Sequence, residues 1–96
     1  MHANSIVHRD ISLNNIMIDN KFNIILIDFG LACYYPSNEI RLPRLTDFVG
    51  TPPYVAPEIV DGSPYIAYNA EIFSLGVCLY VLLYGCVPFK IASNED

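Results

Sequence analysis

Basic side chains are scarce in this 96-residue chain. Arg9, Lys21, Arg41, Arg44 and Lys90 stand against ten acids, for a net charge of −5. They are scattered, so no basic stripe exists to follow a phosphate backbone, and nucleic acid is set aside as a partner. Cysteine is sparser still. Cys33, Cys78 and Cys86 are odd in number and show neither CxxC nor Cys/His ligand spacing. Neither a disulfide framework nor, with His2 and His8, a structural metal site is expected. The opening MHANSIVHRD lacks the charged-then-apolar layout of a secretory signal. An intracellular, cytoplasmic setting with reduced, structural thiols is therefore expected. Internal repeats and low-complexity tracts are missing too.

What the chain has in plenty is apolar surface: 53% of its residues are hydrophobic and the mean hydropathy is +0.36. That excludes disorder, because there is material for a core. A chain of this length buries only about 60–65% of its unfolded surface, so the excess suggests a piece of something larger. Residues 72–89, IFSLGVCLYVLLYGCVPF, carry no charge and reach the lower edge of membrane-span length. Gly76, Ser74, Gly85 and Pro88 dilute the run and no basic cluster orients it. The buried axis of a soluble domain is the preferred reading, and a membrane is not expected.

Along the chain, Ile16-Met17-Ile18 and Ile24–Ile27 are β-branched-rich runs separated by Asp19-Asn20-Lys21-Phe22-Asn23. That pattern predicts a short hairpin with a polar turn. Residues 31–55 have no period and hold four prolines, Pro36, Pro43, Pro52 and Pro53, so they read as one long loop. A helical turn is predicted after Pro57, broken at Asp61-Gly62-Ser63-Pro64. Asn69 as N-cap, Glu71 near the positive end and Gly85 as αL terminator predict a helix over about 70–84. The stretch HANSIVHRD reads as the end of another helix. On that reading the chain begins mid-element, and an incomplete gene model is the expected explanation of its length.

The chemistry lies in HRDISLNN, residues 8–15, and in Asp28-Phe29-Gly30 after the apolar run. Asp28 would project from a strand end, with Gly30 permitting a sharp turn behind it. The oxygens of Asn15 and Asp28 are hard ligands that suit Mg²⁺, which takes few protein ligands beside phosphate oxygens and water. Asp10 is then left to orient a nucleophile or accept its proton. One base and two metal ligands are the minimum for phosphoryl transfer from a Mg-nucleotide.

At these residues the sequence resembles the eukaryotic protein kinase family of serine/threonine type. His8-Arg9-Asp10 with Asn15 resembles its catalytic loop (8–15). Asp28-Phe29-Gly30 and Ala56-Pro57-Glu58 resemble the two ends of its activation segment (28–58), and Ser74-Leu75-Gly76-Val77 its central helix. The resemblance implies a fold that is mainly α with a small β-hairpin, a partial C-terminal lobe over residues 1–96. It also implies ATP and Mg²⁺ as cofactors and a protein Ser or Thr as substrate. Asp10 would be the base, Asn15 and Asp28 the metal ligands, and Met17 the floor under the adenine. Thr51 would reach back to the catalytic loop. Arg9 would hold an acidic or phosphorylated residue: the usual phosphosite position carries Asp47, a built-in mimic, and Thr46 beside it is modifiable. His8 would pack under Phe29. Cys78 and Leu82 share a helix face at i, i+4, under the adenine floor or simply in the core.

Three departures stand against the family pattern. Ser12 occupies the position of a catalytic-loop lysine and brings a hydroxyl without positive charge. Glu71 and Phe73 replace an aspartate and a tryptophan. No GxGxxG loop and no strand lysine occur in the 96 residues, so the isolated chain is expected to be inactive. A non-catalytic, pseudokinase-like interaction module is the alternative reading. By default Cys33 and Cys86 are expected buried, and Tyr34 and Tyr35 are expected to be exposed loop aromatics rather than phosphosites.

Overall fold

Two triplets rich in β-branched isoleucine build a strand pair. The computed structural model describes residues 5–35, 44–88 and 90. In it Ile16–Ile18 (β2) and Ile24–Leu26 (β3) pair antiparallel, with Ile16 opposite Leu26, Met17 opposite Ile25 and Ile18 opposite Ile24. The turn between them is closed by one side chain. Asp19 Oδ1 accepts from the backbone N–H of Lys21 at 2.8 Å and of Asn23 at 2.9 Å, and Oδ2 accepts from Asn23 Nδ2 at 3.0 Å. Those bonds, led by the Asn23 backbone N–H, hold the Asp19 carboxyl below its ordinary pKa. Phe22 sits in the turn at φ 65°.

A second ribbon replaces two expectations. Ile6–Val7 (β1) pairs antiparallel with Cys33–Tyr34 (β4), so the described part of HANSIVHRD is a turn and a strand rather than a helix end. Residues 31–55 hold not only loop but β4, a 3₁₀ turn at Pro52–Tyr54 and an isolated bridge between Leu45 and Tyr65. Tyr34 in β4 and Tyr35 just beyond it point opposite ways, as successive residues of extended chain do. Tyr34 is 72% exposed, as expected, whereas Tyr35 is 1% exposed, its ring edge-on to Tyr68 at 4.8 Å.

Pro57 opens the short α1, Pro57–Val60, which Gly62 terminates at φ 76°. The long helix α2 runs Ala67–Tyr84 and ends at Gly85, φ 78°, whose N–H returns to the Val81 carbonyl at 2.8 Å. It starts three residues before the predicted position, with Ile66 rather than Asn69 as N-cap. Tertiary packing explains the shift: Ala67 is buried with Val7 and Tyr35, and Tyr68 donates to the Tyr35 carbonyl at 2.5 Å. A first turn fixed by burial needs no capping side chain.

The core has two patches. Val55, Ala56, Ile59, Tyr65 and Ala70 form one, Val7, Tyr35 and Ala67 the other, and Leu45 packs on both. Each full burial of such an aliphatic contributes about 1.5–3 kcal/mol. One face of α2 stays outside this core. Between it and the hairpin lies an apolar groove of about 720 Å³, lined by Ile16, Ile18, Ile24, Leu26, Leu75 and Leu79 among others. Cys78 and Leu82 line the same groove, Cys78 buried and Leu82 exposed. Burial pushes the Cys78 thiol up, Cys33 is half-buried, and Cys86 is exposed, against expectation. By length and composition α2 is apolar enough to cross a membrane, yet it carries the buried carboxylate of Glu71.

Candidate functional site

The loop between β1 and β2 carries His8 to Asn15, and its shape is set by buried polar contacts. His8 is fully buried. Its Nδ1 accepts the Asp10 N–H at 3.1 Å, so Nε2 carries the proton and donates to the Ile27 carbonyl at 2.9 Å. The ring lies edge-on to Phe29 at 4.7 Å. Glu71, 4% exposed on α2, accepts the His8 backbone N–H through Oε1 at 2.9 Å and Oε2 at 3.2 Å. A buried carboxylate needs such charge-assisted partners. The helix thus grips the loop from below.

Asp10 is held on both oxygens. Oδ1 accepts the Thr51 hydroxyl at 2.8 Å, and Oδ2 accepts Asn15 Nδ2 at 3.1 Å. Asn15 Nδ2 also donates to the Asp10 carbonyl at 2.8 Å. With its nitrogen committed to Asp10, the carbonyl end of Asn15 is the end that can meet a cation. Thr51 approaches because Gly50, at φ 116°, lets the chain pass close: a Cβ there would lie 3.1 Å from Val55 Cγ2 and 3.3 Å from the Arg9 carbonyl. A cavity of about 30 Å³, room for a single water, adjoins Asp10, Thr51, Tyr65, Glu71 and Ser74.

Asp28 follows β3 at φ 60°, and its Oδ1 accepts the Gly30 N–H at 3.2 Å. A non-glycine residue in the left-handed region costs on the order of 1–3 kcal/mol, and Arg9, at φ 70°, shares that condition. The Arg9 guanidinium donates from Nε to the Leu31 carbonyl at 2.6 Å and pairs through Nη1 with Asp47 Oδ2 at 3.4 Å. Thr46 is exposed next to it. Met17 is half-exposed opposite Ile25, on the hairpin face turned away from the apolar groove.

Ser12 behaves differently. It is 1% exposed, and its Oγ has no hydrogen-bond partner among the described residues. Two supporting side chains have contacts that the sequence did not announce, although Ser74 lies in the segment resembling the central helix. Tyr65 donates its hydroxyl to the Asp47 carbonyl at 2.8 Å, and Ser74 donates to the Tyr54 carbonyl at 2.7 Å. An isolated Ser inside an apolar helix was the available clue for the second. Tyr65 had none.

Among the described residues no cluster of three His, Cys, Asp or Glu side chains exists to hold a metal. Asn15 and Asp28 offer hard oxygens, the donor set of a cation that takes most of its ligands from water and phosphate. The residues fit Mg²⁺ on that chemistry.

Compared with known proteins, residues 1–96 match the protein kinase domain. The chain is 44% identical over 96 residues, all of it, to a probable serine/threonine-protein kinase KIN1 homolog of Encephalitozoon cuniculi (strain GB-M1), covering 16% of that relative. It is 46% identical over 88 residues, 92% of the chain, to NUAK family SNF1-like kinase 2 of Rattus norvegicus, covering 13%. Similarity to serine/threonine-protein kinase SIK2 of Gallus gallus is 44% over 88 residues, 92% of the chain and 10% of the relative. The chain spans between a tenth and a sixth of the length of these relatives.

Proposed function

The chain belongs to the protein kinase domain family, and from that premise we propose that it serves the ATP-dependent phosphorylation of Ser or Thr in protein substrates. In this reading residues 1–96 are part of a C-terminal lobe, with residues 8–15 as catalytic loop, 28–58 as activation segment and α2 as central helix. The observation that carries it is the Asp10 carboxylate held between the Thr51 hydroxyl at 2.8 Å and the Asn15 amide at 3.1 Å. That arrangement presents a fixed acceptor to an incoming hydroxyl.

Mg-ATP would supply the phosphoryl group and the neutralising charge. Asp10 aligns the substrate hydroxyl and takes its proton as the oxygen attacks. Asn15 and Asp28 would hold the metal through their side-chain oxygens, and Met17 would form the floor under the adenine. Thr51 fixes the Asp10 rotamer, and His8 and Glu71 hold the backbone beneath it. Arg9 reads Asp47, or Thr46 once modified. Free cysteines, Cys33, Cys78 and Cys86, suit a reducing cytoplasm.

Ser12 favours a second reading. Its hydroxyl is buried and brings no positive charge to a transferring phosphate. An interaction module that keeps the kinase scaffold without transfer fits that departure.

Titrating the chain with Mg-ATP while following its amide NMR signals separates the two. Without a Gly-rich loop in these residues, the enzyme reading expects weak binding that moves the Asn15 and Asp28 signals. That response needs Mg²⁺ and disappears in Asp28→Asn. Signals at Asn15 and Asp28 that stay fixed at saturating Mg-ATP refute the enzyme reading and leave the interaction one. Micromolar affinity would overturn the expectation that the isolated chain is inactive.

A further inference from the structure

The turn that presents Asp28 is strained and is held from both ends. Asp28 sits at φ 60°, and a non-glycine residue keeps that conformation only where its surroundings over-determine it. Upstream, the Ile27 N–H donates to the Asn15 carbonyl at 2.9 Å, and the Ile27 carbonyl accepts His8 Nε2 at 2.9 Å. Downstream, the Ala32 N–H closes on the Phe29 carbonyl at 3.0 Å, and β4 then pairs with β1. Two strands of two residues each make too short a ribbon to hold a strained turn alone.

Tyr35 supplies the missing hold. Its N–H donates to the Ser5 carbonyl at 2.6 Å, and its own carbonyl accepts the Tyr68 hydroxyl at 2.5 Å. Its ring, 1% exposed, packs with Val7 and Ala67. The same ring meets that of Tyr68 edge-on, with centroids 4.8 Å apart and planes at 85°. Tyr68 is the second residue of α2, the helix that also grips His8 through Glu71. Neither tyrosine belongs to the motifs that carry the kinase resemblance.

We propose that Tyr68 is a positioning residue: with Tyr35 it forms an aromatic clasp that fixes the exit of the Asp28 turn to α2 and so keeps the Asp28 carboxylate in place for a cation. The cation rests on the phosphotransfer reading; the clasp does not.

The clasp has two separable parts. Edge-to-face rings attract beyond their buried area, and the Tyr68 hydroxyl gives the Tyr35 carbonyl a donor whose loss leaves that acceptor less well satisfied. Tyr68→Phe keeps the ring pair and removes only the hydroxyl. Tyr68→Ala removes both.

Amide exchange of the full 96-residue chain, read residue by residue by NMR, tests the clasp with the 16–26 hairpin as internal reference. Tyr68→Phe is expected to speed exchange at Tyr35, and with it at Gly30 and Ala32, by about two- to tenfold, with the hairpin unchanged. Tyr68→Ala is expected to exceed it. Ile59→Val trims one methylene from the other core patch at a comparable cost in stability, and is expected to leave Gly30 and Ala32 unaffected. Mn²⁺ alone, a cation of the same hard-oxygen preference as Mg²⁺, then reports on Asp28 by broadening nearby amide signals. The Mn²⁺ needed to broaden the Asp28 signal is expected to rise about two- to tenfold in Tyr68→Phe and to stay at the wild-type level in Ile59→Val.

The clasp is overturned if Tyr68→Phe leaves the Tyr35 amide at its wild-type rate. Acceleration at Tyr35 with Gly30 and Ala32 unchanged also overturns it, since the tyrosines would then hold only themselves. So does an equal loosening of Gly30 and Ala32 in Ile59→Val, which would make the effect one of global stability. A wild-type chain whose Asn15 and Asp28 signals ignore Mn²⁺ counts against the phosphotransfer reading, and the exchange pattern still decides the clasp.

Discussion

Glu71 offers a comparison in which charge and length are separated. Its carboxylate reaches the His8 backbone N–H at 2.9 and 3.2 Å from inside the core. Glu71→Gln keeps the reach and one acceptor oxygen but loses the charge. A charge-assisted bond of about 1.5–3 kcal/mol becomes a neutral one of about 0.5–1.5 kcal/mol, so the cost is near 1 kcal/mol. Glu71→Asp keeps the charge and shortens the arm by one C–C bond, about 1.5 Å. The oxygen then retreats beyond hydrogen-bond range, and the bond is lost together with about 0.8 kcal/mol for one buried methylene. Asp is therefore expected to cost about 2–4 kcal/mol, more than Gln, although the resemblance puts aspartate at this position. Thermal unfolding by circular dichroism reads the order, at about 4–8 °C per kcal/mol for a domain this small. Exchange of the His8 amide reads the bond directly. Should Glu71→Asp melt with the wild type and keep that amide protected, α2 has slack that the buried geometry does not show, and the reasoning fails.

Two further substitutions probe other links. Ser12→Ala removes a buried hydroxyl that has no partner among the described residues, so stability is expected to hold or rise slightly, within about 1 kcal/mol. A clear loss in a urea titration would mean the hydroxyl is satisfied in solution. The Asp19 carboxyl, held below 3.8 by the Asn23 and Lys21 bonds, contributes hairpin stability that is present above that value and lost as pH falls through its folded pKa. The amide signals of Lys21 and Asn23 should titrate together in that acid range, and Asp19→Asn should abolish the titration; a hairpin indifferent to acid would contradict the turn geometry.

Local chemistry was legible. The hairpin could be read because Asp19 and Asn23 close their own turn within five residues, and because Ile16–Ile18 and Ile24–Leu26 favour strands wherever they lie. Gly85 and Pro57 marked helix ends for reasons internal to their backbones. The β1–β4 ribbon was missed because strands of two residues carry no period, and the pairing of Val7 with Cys33 spans a whole hairpin. The start of α2 was misplaced because Ala67 is fixed by burial against Val7 and Tyr35 rather than by a capping side chain. In the site, the residue types of Asp10, Asn15 and Asp28 and the resemblance to the kinase family led to the expectation of phosphoryl chemistry, which stands as a proposal. The burial of Ser12 and the reach of Tyr65 to Asp47 did not show.

The sequence by itself determined the elements whose causes lie within about one turn of chain: the hairpin, the helix terminators and the order of the polar residues on the Asp10 loop. It also determined composition-level exclusions, since charge and cysteine counts need no fold. Only the tertiary structure decided which oxygen meets which hydrogen across 41 residues from Asp10 to Thr51 and 63 from His8 to Glu71. Hydrogen bonds act over about 3 Å, and nothing in a linear spacing specifies a distance of that order between residues so far apart. Burial is likewise a property of the whole packing, which is why Tyr34 and Tyr35, chemically identical neighbours, ended on opposite sides of the surface.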